Sequence, residues 1–199
     1  MAIWIVLLRG INVGGKHVVP MKRLRELLEE SGFSDVRTYI QSGNCVFGSD
    51  ETDAGNLAQT VAGAIEREFR FRPSVFALTL DDLDAAIAAN PFPADAGKAL
   101  HLMFLDGAPA DADLDGLRAI APENEAAKIR GNVLYVYTPD GFGRSVIAQK
   151  LDRFVKADKT ARNLNTVLKL AEMARAANQL FSQVSMRSSE RAIVSVEPA

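Results

Sequence analysis

Apolar positions along the chain fall into short blocks whose spacing changes from one block to the next. Ile3 to Leu8 is an unbroken apolar run, the pattern of a strand buried on both faces. Met21, Leu24, Leu27 and Leu28 then recur at helical spacing with charges between them. Pro20 suits the first turn of that helix, where a missing N–H costs nothing. Gly32 suits its C-terminal cap, with Phe33 packing back on the helix end. Residues 36–41 and 44–47 read as two strands, with the tight turn at Ser42-Gly43 or Gly43-Asn44. Leu57, Val61, Ile65 and Phe69 repeat every fourth position and predict a second helix, and residues 74–79 a strand after Pro73. The order to this point is βαββαβ, a ferredoxin-like arrangement.

A short helix over 80–89 leads to Asn90-Pro91-Phe92-Pro93, where two prolines argue against regular structure. A domain boundary is expected between residues 90 and 98. Residues 100–105 predict a strand, and Leu114, Leu117 and Ile120 a helix stopped near Pro122. Residues 127–130 and 133–138 predict a hairpin about Gly131-Asn132, and Ile147, Leu151, Phe154 and Val155 another helix. This half reads βαββα, followed by a polar stretch at 160–163 and a helix over 165–176. The expectation is an α+β chain of two ferredoxin-like halves (βαββαβ and βαββα) in tandem. The first spans 1–92, and the second spans 98–178 with its terminal helix. A tail extension, 179–199, follows. Residues 192–196 in that tail could form an edge strand or pair with a partner chain.

Composition adds limits. The chain has 199 residues, 48% of them hydrophobic, and no apolar run of transmembrane length. Neither a basic leader nor a small-residue cleavage pattern marks the start, so a soluble cytoplasmic protein without a membrane partner is expected. Cys45 is the lone cysteine and sits in an apolar run, where a buried inert thiol is expected. His17 and His101 have no metal-ligand spacing, so no metal and no cofactor is expected. His101 reads as a hydrogen-bonded core histidine. Net charge is −2, but it is unevenly placed. Arg9, Lys16, Lys22, Arg23 and Arg25 stand in an interval with no acid. Arg144, Lys150, Arg153, Lys156, Lys159, Arg162 and Lys169 face only Asp152 and Asp158 between residues 144 and 169. That pattern points to a local anion site rather than to general nucleic-acid affinity.

The candidate chemistry lies in these basic intervals. Arg9-Gly10-Ile11-Asn12-Val13-Gly14-Gly15-Lys16 follows the first strand. Its glycines permit close backbone approach, and successive N–H groups in such a loop can cradle an anion. Gly10-x-x-x-x-Gly15-Lys16 matches most of a phosphate-loop motif. His17 stands in place of the magnesium-binding hydroxyl, however, and the helix begins only near Pro20. Gln41, Ser42 and Asn44 lie at the hairpin tip, where turn chemistry explains them and projection toward the glycine loop is the functional alternative. Ser145 after Gly141-Phe142-Gly143-Arg144 reads as a helix cap or, with Arg144, as an anion site. In Thr160-Ala161-Arg162-Asn163, capping accounts for the polar groups but not for Arg162, which at a helix start should face a carboxylate or a bound anion.

These stretches, with Tyr39-Ile40-Gln41-Ser42-Gly43-Asn44, Asn90-Pro91-Phe92 and Thr166-Val167, resemble an uncharacterised family known as domain of unknown function 1697. The resemblance covers about residues 2 to 176. It implies two α+β halves of ferredoxin-like character and no particular reaction. The chain departs from the family pattern at Val146 and Leu164. The functional expectation is a binding protein for a phosphate-bearing ligand, either a nucleotide or a nucleic-acid backbone. Arg9, Asn12, Gly14, Gly15, Lys16, Gln41, Ser42, Asn44, Arg162 and Asn163 would line the site. The alternatives are an enzyme acting on a phosphorylated small molecule, with His17 as proton carrier, and a protein-interaction scaffold.

Overall fold

The computed structural model describes residues 1–93, 97–107, 109 and 111–194, with side chains as far as Gln183. It is a mixed α+β fold of two four-stranded antiparallel sheets and, among the described residues, six α-helices. The first half runs β1 (Ala2–Leu8), α1 (Met21–Glu30), β2 (Ser34–Tyr39), β3 (Asn44–Ser49), α2 (Ala54–Phe69) and β4 (Val75–Leu78), with strand order β2-β3-β1-β4. After α3 (Leu80–Ala88) the second half runs β5 (Leu100–Leu105), α4 (Leu114–Ile120), β6 (Ala126–Arg130), β7 (Val133–Tyr137), α5 (Val146–Phe154), β8 (Lys159–Asn163) and α6 (Leu164–Val194). Its order is β6-β7-β5-β8. No helix among the described residues is long and apolar enough to cross a membrane.

Local sequence explains most of these limits. Helix α1 ends in paired reverse bonds, Gly32 N–H to Glu29 O at 3.0 Å and Phe33 N–H to Leu28 O at 3.2 Å. Gly32 takes φ +92° to make them, and Phe33 is buried against the helix end. Asp53 caps α2 by accepting from Asn56 N–H at 2.7 Å. Thr79 and Asp82 form a reciprocal capping box on α3.

The unbroken apolar run of β1 is divided between two cores. Ile3, Ile5 and Leu7 face one way, and Trp4, Val6 and Leu8 pack under α1 and α2. Strand β5 divides likewise, with Leu100, Leu102 and Phe104 on one side and Met103 and Leu105 under α4 and α5. The faces holding Ile5 and Leu102 belong to one shared core, closed by α3 and by Leu164, Val167, Leu170 and Ala174 of α6. Helix α6 thus packs on both sheets, and the two halves bury apolar surface against common partners.

Three expectations need correction. The second half has a fourth strand, β8, at the polar stretch 159–163. Its pairing with β5 places Leu102 opposite Arg162 and Phe104 opposite Thr160. The last helix begins at Leu164 and runs on to Val194 instead of ending near residue 176. Residues 192–194 are therefore helical and not part of an edge strand, the first of the two readings of 192–196; residues 195 and 196 lie outside the described residues. Intrinsic preference for strand at β-branched positions is weak and yields to a helix already propagating from a packed first turn.

Candidate functional site

The segment between β1 and α1 folds as a small hairpin-like loop. Asn12 N–H donates to His17 O at 3.1 Å, and Lys16 N–H to Val13 O at 3.0 Å. Gly14 and Gly15 form the tip with φ of +58° and +73°. That tip is exposed, and so is Lys16. Helix α1 starts at Met21, so no helix end faces Lys16 as a phosphate loop requires. Asn12 works as a staple. Its Nδ2 donates to Val19 O at 3.0 Å and Gln41 O at 2.8 Å, while its Oδ1 accepts from Val19 N–H at 2.8 Å. The glycine loop and the β2–β3 turn are thereby held together, although the Gln41 side chain itself points to solvent. His17 stacks on Phe71 with ring centroids 4.3 Å apart.

Arg162 occupies a different setting from the one its sequence context suggests. In strand β8 its side chain lies on the same face as Thr160 and enters the rim of the shared core, where the residue is 8% exposed. All five guanidinium N–H groups find acceptors. Nε donates to Asn44 Oδ1. Nη1 donates to Thr160 Oγ1 at 2.9 Å and Ala161 O at 2.8 Å. Nη2 donates to Leu8 O and Ser42 O, both at 2.9 Å. Asn44 is fully buried and is itself held through Nδ2 to Tyr39 O and Ser42 Oγ, each at 3.0 Å. A strand of the second half is thus bonded to the end of β1 and the β2–β3 turn of the first. The acceptors are neutral, and burial lowers the guanidinium from its ordinary value to about 10. Of the carboxylate or bound anion expected to face Arg162, the structure provides no carboxylate among the described residues; the residue is buried among neutral acceptors.

Beside it lies a cavity of about 370 Å³ that joins the glycine loop to β8. Leu8, Arg9, Gly10, Ser42 and Arg162 reach it, together with Asp152, Lys159 and the apolar Val13, Met103 and Phe142. Arg9 pairs with Asp158 across the seam between halves. Lys159, 7% exposed, donates to Val155 O at 2.8 Å, Ala157 O at 3.1 Å and Asp152 Oδ1 at 2.7 Å. The bond from Lys159 holds the Asp152 carboxyl below its ordinary value. The structure therefore brings Arg9, Ser42 and Arg162 to one cavity. Asn12 and Asn44 lie behind its wall as braces, while Gly14, Gly15, Lys16, Gln41 and Asn163 do not line it. Asn163 instead caps α6, accepting from Thr166 N–H at 2.9 Å. Lys159, Asp152 and Asp158 are the lining and pairing groups that motif reading passed over. Their signal in the sequence is the basic interval 144–169, in which Lys159 stands with Asp152 and Asp158.

Two other sequence candidates resolve simply. At α5, Ser145 Oγ accepts from Ala148 N–H at 3.0 Å and donates to Glu125 Oε2 at 2.8 Å. Glu125 also accepts from Val146 and Ile147 N–H, so the anion at this helix start is the chain's own carboxylate. Cys45 is fully buried, and burial pushes its thiol up to about 12, as an inert core thiol should be. His101 differs from expectation. Its Nδ1 is buried with no hydrogen-bond partner, its ring stacks on Phe142 at 4.1 Å, and burial lowers it to about 4.

Comparison with known proteins bears on the family and the fold. No curated protein matches the chain. Among solved structures, the conserved bacterial protein SP0830 from Streptococcus pneumoniae is similar, with 24% sequence identity and a TM-score of 0.65 over 88% of this chain and 99% of that one. That likeness is one of fold. A family model described as "Protein of unknown function (DUF1697)" matches residues 1–135, which include the glycine loop and the β2–β3 turn and stop before β8. With more than half of its length matched, the chain belongs to the DUF1697 family of proteins of unknown function.

Proposed function

We propose that the cavity between the glycine loop and β8 binds a phosphate-bearing ligand, a nucleotide or an exposed nucleic-acid backbone. The observation that carries this reading is the convergence there of Arg9 with Lys159 and Arg162 of β8, three cations from two segments about 150 positions apart in sequence. Asp158 and Asp152 balance the first two. The charge of Arg162 has no such partner, and in a poorly solvated site its field reaches into the cavity. Its N–H groups are all engaged, so direct bonds to the phosphate fall to Arg9 and to loop N–H groups. Gly10 and Ile11 N–H donate to no protein acceptor among the described residues. The apolar wall of Val13, Met103 and Phe142 suits the organic part of such a ligand.

The test is a thermal-shift screen of the whole protein with inorganic phosphate, nucleoside monophosphates and short single-stranded RNA. A ligand that binds only the folded chain stabilises it by about 2.7 kcal/mol at a hundredfold excess over Kd. Arg9→Ala removes that stabilisation while leaving the ligand-free midpoint close to wild type, and added salt weakens binding. If no phosphate compound shifts the midpoint, or if Arg9→Ala responds like wild type, the reading fails. Arg162→Ala is unsuitable for this purpose because it breaks the fold's own bonds.

The same proposal extends to architecture and location. We read each half as ferredoxin-like, because each supplies βαββαβ in sequence and the two strand orders correspond position by position. A cytoplasmic setting agrees with a single, buried cysteine.

A further inference from the structure

Strand β4 is an edge strand, bonded to β1 on one side only. Arg9 N–H donates to Ser74 O at 2.9 Å. That bond sets the antiparallel phase: 9 and 74 are a hydrogen-bonded pair, and therefore so are 7 with 76 and 5 with 78. Val75 and Ala77 alternate with these, so their N–H and C=O groups point away from β1. Among the described residues they meet no partner. They border a cavity of about 650 Å³. The start of α2 forms one wall with Ala54, Gly55 and Ala58, and the β6–β7 turn with Gly131 and Asn132 forms another. The residues of α2 there are small, which leaves room beside the strand.

We infer that this groove binds an extended peptide segment of another protein, which adds to β4 as a fifth strand and bonds to Val75 and Ala77. The open edge is about 13 Å long at the rise of a strand, enough for four or five peptide residues. Phe76, Leu78 and Leu105 offer an apolar floor for alternate side chains. The charged groups at the groove are Asp82, Asp106 and Arg130. Among the described residues neither Asp106 nor Arg130 has an ion-pair partner. The two acids against one base favour an apolar segment that carries a lysine or arginine. A second copy cannot contribute its own β4, because that edge is recessed between the same two walls. This site is separate from the phosphate cavity and does not depend on it.

The test measures fluorescence anisotropy of labelled hexapeptides that alternate valine and threonine and end in lysine, titrated with the whole protein. Ala77→Pro deletes one outward donor without touching the ladder to β1, a place where edge strands tolerate proline. It is expected to weaken binding at least tenfold while the melting midpoint stays within a few degrees of wild type. N-methylation of alternate peptide residues, on the edge that faces β4, is expected to abolish binding while the opposite pattern preserves it. This arm carries the test even if Ala77→Pro does not fold. Equal binding of both methylation patterns, unchanged binding by a folded Ala77→Pro, or no binding by any peptide up to millimolar protein overturns the inference. Concentration-dependent dimerisation abolished by Ala77→Pro overturns it in favour of a second copy.

Discussion

Strands β4 and β8 hold the same place in their two sheets, each an edge strand bonded to the longest apolar strand of its half. They are otherwise opposites. β4 reads Val-Phe-Ala-Leu, is plain in the sequence, and leaves its outer edge open to a cavity of about 650 Å³. β8 reads Lys-Thr-Ala-Arg-Asn, has no apolar signal, and sends Thr160 and Arg162 into the rim of the shared core. The edge that looks like core is the one left open, and the edge that looks like surface is the one that binds the halves together. A buried arginine is tolerated there because the ends of β1 and the β2–β3 turn present carbonyls that no ladder uses. Leu8 O and Ser42 O need donors as much as the guanidinium needs acceptors.

The most damaging way to break this contrast is Arg162→Ala. It leaves Leu8 O, Ser42 O and Asn44 Oδ1 without their donor in a buried place, and each such loss costs about 1–3 kcal/mol. We expect a total of about 4 kcal/mol in urea unfolding, within the range for breaking a buried charged network. Arg162→Lys should recover only part, since three ammonium protons cannot replace five fixed donors. A loss below about 1 kcal/mol for Arg162→Ala would mean that the seam is held elsewhere.

Next in size is the pH dependence at His101. Its folded value, about 4, lies below the ordinary 6.5. The unfolded chain therefore takes up the proton first as pH falls, so the stability is complete above about 6.5 and declines down to about 4. The whole shift is worth about 3 kcal/mol at 1.36 kcal/mol per unit. His101→Leu should flatten unfolding free energy across this window; an unchanged slope would assign the dependence to other groups.

The two hairpin turns sharpen the comparison of halves. Gly43 and Gly131 both have positive φ, +72° and +54°, yet their surroundings differ. A Cβ at Gly43 would lie 2.7 Å from Leu8 Cβ and 2.8 Å from Ile11 Cδ1, whereas at Gly131 nothing lies within 4 Å. Gly43→Ala should cost about 3 kcal/mol, the strain plus an overpacking cost. Gly131→Ala should cost about 1 kcal/mol, the backbone strain alone. Equal melting shifts for the two would show that the first turn yields without penalty. Smallest of all is Arg9→Ala without ligand, within about 1 kcal/mol, because a half-exposed ion pair contributes little.

What the sequence by itself determined is what local chemistry dictates. Strands β1 and β5, the stripes of α1, α2 and α5, the Gly32 cap and the Gly131-Asn132 turn all follow from spacing, propensity and φ demands within a few residues. The glycine loop was legible as a place of unusual backbone, and the basic intervals were visible as unbalanced charge. Only the tertiary structure decided that α6 would close a core common to both sheets, and that Thr160-Ala161-Arg162-Asn163, besides leading into the helix that Asn163 caps, would be a strand. The same holds for Arg9 and Arg162 reaching one cavity while Lys16 stands apart at an exposed tip. The physical reason is one of range. Periodicity reports how a segment can bury its own side chains, but strand β8 gains its stability from the ladder to β5 and from carbonyls of Leu8 and Ser42 more than a hundred positions away. A polar strand whose ladder partner is some fifty to sixty positions away and whose side-chain acceptors lie in the other half carries no local mark of where it will pack.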